Sequence, residues 1–259
     1  MTDSNTCKAT VITIHKASEV PLQPINGKPT LVYWDIVGIV HPLRMALATA
    51  NVEWNDVRMV CGQSKDSQAN KKEWFQAKKV LQEKKILEFP NLPYYLDTDV
   101  QLVQTDAILR YLGNKFNLMG NGTVQVHRAD MLMEEARDLD STIVRLSYEE
   151  GGPAVAKWLC SSDLRDKLQV WDELIRASGA FVTGSTITVV DFKLYTFLYK
   201  FQVAQASLMI SDCQVPALPF WVPAYLDLVQ KATPQLEAYL KSPDMRIPIN
   251  NPHALFDNF

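Results

Sequence analysis

Strand-like runs are confined to the first 103 residues of this chain, and beyond the Gly113-Asn114 pair only helical spacing remains. This change of period is the strongest constraint on the fold, because a segment patterned for a helix does not settle as a strand. The early runs come in a definite order. "TLVYWDI" (30–36) is β-prone, and Gly38 breaks it. Residues 42–50 place Leu43, Leu47 and Ala50 on one face of an amphipathic helix, with Pro42 in the first turn, where proline is tolerated. "VEWNDVRMV" (52–60) reads as a second strand, parallel to the first if the helix between them makes an ordinary crossover. Residues 61–73 read as a long polar loop and "EWFQAKKVLQ" as a short helical turn. A strand led by Pro93, a turn at Asp97–Asp99, a strand over 100–103 and a helix over 105–112 complete the order.

That order, β-α-β followed by β-β-α, is a thioredoxin-like arrangement over residues 29–113. Residues 1–28 lack sustained periodicity and carry Pro21, Pro24 and Gly27. They read as a poorly ordered extension with one short strand at Thr10–His15. A Gly/Asn-rich linker spans 114–119, and an all-helical domain follows over 120–259. In it Ala129, Leu132, Met133, Ala136, Ile143 and Leu146 keep helical spacing, as do Leu164, Leu168, Trp171 and Ile175. "ITVVDFKLYTFLYKFQ" is apolar on most sides, the mark of a buried central helix. Thr188 and Asp191 form a capping box at its start, with Ile187 and Phe192 spaced for a hydrophobic staple. The fold class is α/β plus all-α.

Composition removes several functions. A net charge of −3 and the lack of a basic stripe argue against a nucleic-acid partner. Cys7, Cys61, Cys160 and Cys213 form no C-x-x-C pair, and His15, His41, His127 and His253 stand apart, so no metal site is expected. No apolar run reaches the roughly 20 residues that span a bilayer, and the N-terminus lacks a signal-peptide pattern. A cytoplasmic protein with free thiols is the expectation. The Asn121-Gly122-Thr123 glycosylation match is then incidental.

Four quoted stretches together resemble a cytosolic glutathione transferase, most like the mu class: "YWDIVG" (33–38), "FPNLPYYLD" (89–97), "QTDAILRYLGNKFNL" (104–118) and "TVVDF" (188–192). The resemblance runs from about Thr30 to about Ser242 and implies an N-terminal glutathione-binding domain and a helical domain carrying the electrophile pocket. It makes Tyr33 the catalytic residue that stabilises the glutathione thiolate, and Tyr148 a second tyrosine facing the electrophile. Pro93 would follow a cis peptide, turning the backbone of Leu92, next to Asn91, toward the cysteinyl part of glutathione. Gln104 and Thr105 would hold the γ-glutamyl end, and Asp138 would reach the glutathione of a partner subunit. Trp34, Lys71, Trp74 and Lys78 would serve the glycyl end. Phe89 would be the aromatic key of an isologous homodimer. No metal or tightly bound cofactor is implied; glutathione is a cosubstrate, and an apolar electrophile is the other partner.

The residues alone allow plainer roles: Thr105 as an N-cap, Lys71 and Lys72 as a solvated face, Phe89 as local core packing, Tyr148 as a helix-surface aromatic. The chain also departs from the family pattern. Val37 stands where arginine is usual, Lys71 stands where mu enzymes carry arginine, the 61–73 loop is longer, and residues 1–28 have no counterpart. A structural or ligand-carrying relative of the crystallin kind is therefore an alternative, as is a glutathione-dependent isomerase or peroxidase on the same site. A cysteine-based oxidoreductase would need a cysteine between Tyr33 and Gly38, and none is there.

Overall fold

The computed structural model describes residues 8–62, 66–210 and 217–256; Cys7 and Cys213 lie outside the described residues. Two compact units emerge, one of residues 1–112 with 234–253 and the other of 113–233 with 254–259.

The first unit is built on strands β1 (Ala9–Ile14), β2 (Thr30–Trp34), β3 (Trp54–Met59), β4 (Tyr94–Leu96) and β5 (Gln101–Val103). Their order across the sheet is β1-β3-β2-β4-β5. β1 and β2 run parallel to β3, whereas β4 and β5 are antiparallel to their neighbours. Every residue of β2 is buried, as a central strand covered on both faces requires. The parallel β2–β3 pair is joined by helix α1 (His41–Thr49), as the sequence predicts. The β4–β5 turn is fixed by Asp97. Its carboxylate accepts the backbone N–H groups of Asp99 and Val100 and the hydroxyls of Tyr95 and Tyr111.

Three expectations need correction here. Residues 8–28 are not a poorly ordered extension: β1 lies along the β3 edge in continuous register from Ala9–Trp54 to Ile14–Met59. The polar 61–73 stretch contains a short helix, α2 (Ser67–Asn70), capped by the Asp66 carboxylate on the N–H of Gln68 at 2.8 Å. The "short turn" after it is the 12-residue helix α3 (Lys72–Glu83). Its buried stripe is only Trp74, Ala77 and Leu81, a pattern that the surrounding lysines and glutamines hide. Helix α4 (Thr105–Lys115) closes the run.

The second unit holds α5 (Gly122–Glu149), α6 (Gly152–Leu159), α7 (Ser162–Ser178), α8 (Val189–Ile210) and α9 (Trp221–Gln230). α8 is the central helix that its all-round apolarity predicts, packed by α5, α6 and α9. At its start the Asp191 carboxylate accepts from the Thr188 N–H and hydroxyl, the Val182 N–H and the Tyr225 hydroxyl, all within 2.9 Å. The hydroxyl of Thr188 thus donates to Asp191, and the box closes through the carboxylate. A buried ion pair, Lys200 Nζ to Asp140 Oδ1 at 2.7 Å, ties α8 to α5.

The expected helical domain over 120–259 is too long at its C-terminal end. Helix α10 (Pro234–Lys241) packs on α1 within the first unit, where Tyr239 meets Trp54 and His41. The segment after it also stays with the sheet.

Candidate active site

The register of the sheet gathers residues that are far apart in sequence. Val32 pairs with Tyr94, and Tyr94 with Val103. One residue further toward the same end come Tyr33 on β2, Pro93 just before β4 and Gln104 just after β5. With strands roughly 4.8 Å apart, the three backbones lie within about 10 Å. This end carries the carboxyl termini of the parallel strands, where open α/β sheets hold their ligands.

Each member of the row has its own local cause. Tyr33 is buried to 7% exposure, and its phenol lies against Gly38, whose φ is +48°. A Cβ at Gly38 would stand 2.6 Å from Tyr33 Cε1 and 2.9 Å from its oxygen, so only glycine leaves the phenol its place. The Leu92–Pro93 peptide is cis. The N–H of Leu92 donates to the Asn91 carboxamide oxygen at 3.0 Å. Gln104 is exposed with φ +73°, and its carbonyl accepts the N–H of Ile108, which starts α4. Thr105 follows, 8% exposed, and its hydroxyl oxygen is buried without a hydrogen-bond partner. An orphaned buried hydroxyl at a helix start, where the first backbone N–H groups have no intrahelical acceptor, suits an anion.

Helix α3 supplies the next group. Trp74 is 5% exposed and stacks on Tyr94, with ring centroids 6.4 Å apart and planes 23° from parallel. Lys71 is half-buried at the head of the helix, whereas Lys72 and Lys78 are exposed. Trp34 is buried at the end of β2. Burial pushes the nearby Cys61 thiol above its ordinary value, with the Lys71 ammonium pulling the other way.

Asp138 and Tyr148 belong to the helical unit, on α5. Asp138 is exposed, with Arg137 as a neighbour at 3.4 Å; Tyr148 is half-buried. Ten residues of helix put them about 15 Å apart along its axis. Phe89 in the first unit is 79% exposed, so it is not local core packing.

The glutathione S-transferase N-terminal domain matches residues 29–114, and the glutathione S-transferase C-terminal domain matches residues 137–243. A glutathione S-transferase from Tyrophagus putrescentiae is 35% identical over 179 residues, 69% of this chain and 78% of that protein. The chain belongs to the glutathione S-transferase family. Glutathione S-transferase Mu 3 of Homo sapiens is 28% identical, over 87% of this chain and 94% of its own. Among solved structures, the glutathione S-transferase Blo t 8 shares the fold, with a TM-score of 0.69 at 24% identity across 87% of this chain and 98% of its own.

In this member of the transferase family, the loop after β2 is held by residues that motif reading passed over. Arg44 is fully buried; its Nε donates to Asp56 Oδ1 at 3.0 Å and its Nη1 to the carbonyl of Ile36 at 2.7 Å. Arg58 binds the other Asp56 oxygen at 2.7 Å and the Asp244 carbonyl at 2.8 Å. The N–H groups of Val37 and Gly38 donate to the carbonyls of Pro248 and Ile249 at 2.8 and 3.0 Å. Val37, the residue in place of the usual arginine, has no exposed surface at all. The sequence did hold one clue: Asn55, Asp56 and Arg58 are polar residues inside a strand whose neighbours are all core-like, and buried charges need partners.

Proposed function

We propose that the protein ionises glutathione with Tyr33 and transfers its thiolate to apolar electrophiles. The observation that carries this reading is the orphaned buried hydroxyl of Thr105 at the head of α4, one residue past Gln104. A free thiol of this kind has a pKa of about 8.5 and is largely protonated at neutral pH. A phenol O–H donated to the sulfur favours the thiolate. A shift of roughly two units corresponds to about 2.7 kcal/mol, within reach of a charge-assisted hydrogen bond helped by backbone dipoles.

The other roles follow from the chemistry of the tripeptide. Gln104, Thr105 and the α4 terminus receive the γ-glutamyl carboxylate. The backbone of Leu92 pairs with the cysteinyl residue as a short strand would, its N–H exchanging the Asn91 oxygen for the ligand's carbonyl. Trp34, Lys71, Trp74 and Lys78 serve the glycyl carboxylate. The thiolate then forms the S–C bond as the leaving group departs, and holding both reactants side by side removes the entropy of encounter. Where the electrophile opens to an alkoxide, Tyr148 supplies the proton.

The same reading makes the protein a cytoplasmic detoxification enzyme and a homodimer with Phe89 as key. Exposed Val124 and Met131 continue to Asp138 in seven-residue steps along one face of α5, which supports that face as partner surface.

The test is an ultraviolet titration of the bound glutathione thiolate in the wild type and in Tyr33→Phe. A pKa well below the free value that returns upward in the variant is expected. An unshifted pKa, or no binding, would overturn the reading.

A further inference from the structure

The segment ahead of β2 has no counterpart in the glutathione transferase pattern, yet it reaches the elements that carry Trp74. β1 is zipped along the β3 edge, and beyond it the N–H of Val60 donates to the Ile14 carbonyl at 2.9 Å. The chain then turns through residues 15–19, with the Glu19 carboxylate accepting the N–H groups of His15 and Lys16 at 2.7 and 2.9 Å. Two bonds leave the segment, one from within that turn and one just after it. The N–H of Ala17 donates to Glu73 Oε2 at 2.8 Å, and the Pro21 carbonyl accepts the Tyr94 hydroxyl at 3.0 Å. Glu73 is the residue before Trp74 in the first turn of α3, and Tyr94 is the ring on which Trp74 stacks. Val20, between the two ties, is buried.

We infer that residues 9–21 form an arm that positions Trp74 from two sides and thereby sets the affinity of the site for the glycyl end of glutathione. The inference rests on the proposed role of Trp74 in binding that end. Ala17, Glu73, Pro21 and Tyr94 act as positioning residues, through the backbone turn that carries the indole and through the ring beneath it. Burial pushes the Tyr94 phenol far above its ordinary range, so it stays a hydrogen-bond donor at every physiological pH. Neither of the two ties involves Tyr33, which lies on the central strand β2 between β3 and β4.

Two variants remove one tie each. Ala17→Pro deletes the N–H that meets Glu73. Lys16 already has φ −126° and ψ 151°, the extended backbone that a following proline needs, and Ala17 opens its turn where proline is favoured. Tyr94→Phe deletes the hydroxyl and keeps the stacking ring. Each is expected to raise the KM for glutathione about fivefold, the net worth of one hydrogen bond, with kcat at saturating glutathione and the bound-thiol pKa unchanged. A second readout needs no glutathione: amide hydrogen exchange of residues 72–83, which each variant is expected to speed up. If α3 exchanges at the wild-type rate in both variants, the arm does not hold it and the inference is overturned. Faster exchange with an unchanged KM overturns the link from arm to affinity. A wild type that fails to bind glutathione at all defeats the proposed function, and the exchange rates still decide whether the arm braces α3.

Discussion

Thr105 is buried, polar and orphaned, which costs stability unless a ligand repays it. Thr105→Val keeps the shape and removes the hydroxyl. The free protein should therefore melt no lower than wild type, while glutathione binds about tenfold more weakly, the worth of one hydrogen bond to a charged group; thermal melts and calorimetry read the two quantities separately. Val37 behaves oppositely. Its site is closed to solvent, so Val37→Arg forces an ion into the core and should destabilise the protein by on the order of 3 kcal/mol in urea. Restoring the family's arginine alone will not raise activity. At this scale the candidate site is legible where its residues sit in motifs: Tyr33, Pro93, Gln104 and Thr105 arrive as quoted strings. The sequence is a poor guide to Arg44, Asp56 and Arg58, whose meaning lies in pairings between a helix, a strand and a distant carbonyl.

The elements follow the same division between local and non-local causes. β2, α1, β3, α5, α7 and α8 are legible because each carries its own period. α3 is not, because three buried residues among twelve leave a stripe too narrow to see. β1 is half legible: "ATVITI" has strand propensity, but its partner β3 supplies the order. The entry to α8 shows how much one side chain can organise. The Asp191 carboxylate takes two backbone N–H groups and two hydroxyls. Asp191→Asn replaces one acceptor oxygen by a donor and strands at least one buried N–H. Chemical denaturation should show a loss of about 2–4 kcal/mol, with Tyr225→Phe costing roughly 1 kcal/mol as the single-bond control.

On the scale of the whole molecule, Phe89 is a large aromatic standing in solvent, and a dimer contact gives it a use. In the proposed homodimer, burying such a ring is worth about 2–3 kcal/mol per copy, so Phe89→Ser should give a dimer whose mass in sedimentation depends on concentration. A variant that stays tightly dimeric removes Phe89 as the key. The sequence ends its first domain at Gly113 and starts a linker at Asn114, both inside α4, and it carries the helical part through residues that group with the sheet. Residues 234–253 are short in period and interrupted by Pro243, Pro248 and Pro252, and nothing local says that they belong with the sheet. Their return has a consequence for birth rather than for catalysis. The loop at Val37 and Gly38 is closed by the carbonyls of Pro248 and Ile249, which leave the ribosome after helices α5 to α9. At roughly 5–20 residues per second, the half-made site waits on the order of 10–40 s for its last wall. Through that interval the nascent chain carries a thioredoxin-like sheet with an unfinished mouth, the stage at which a chaperone has most to protect.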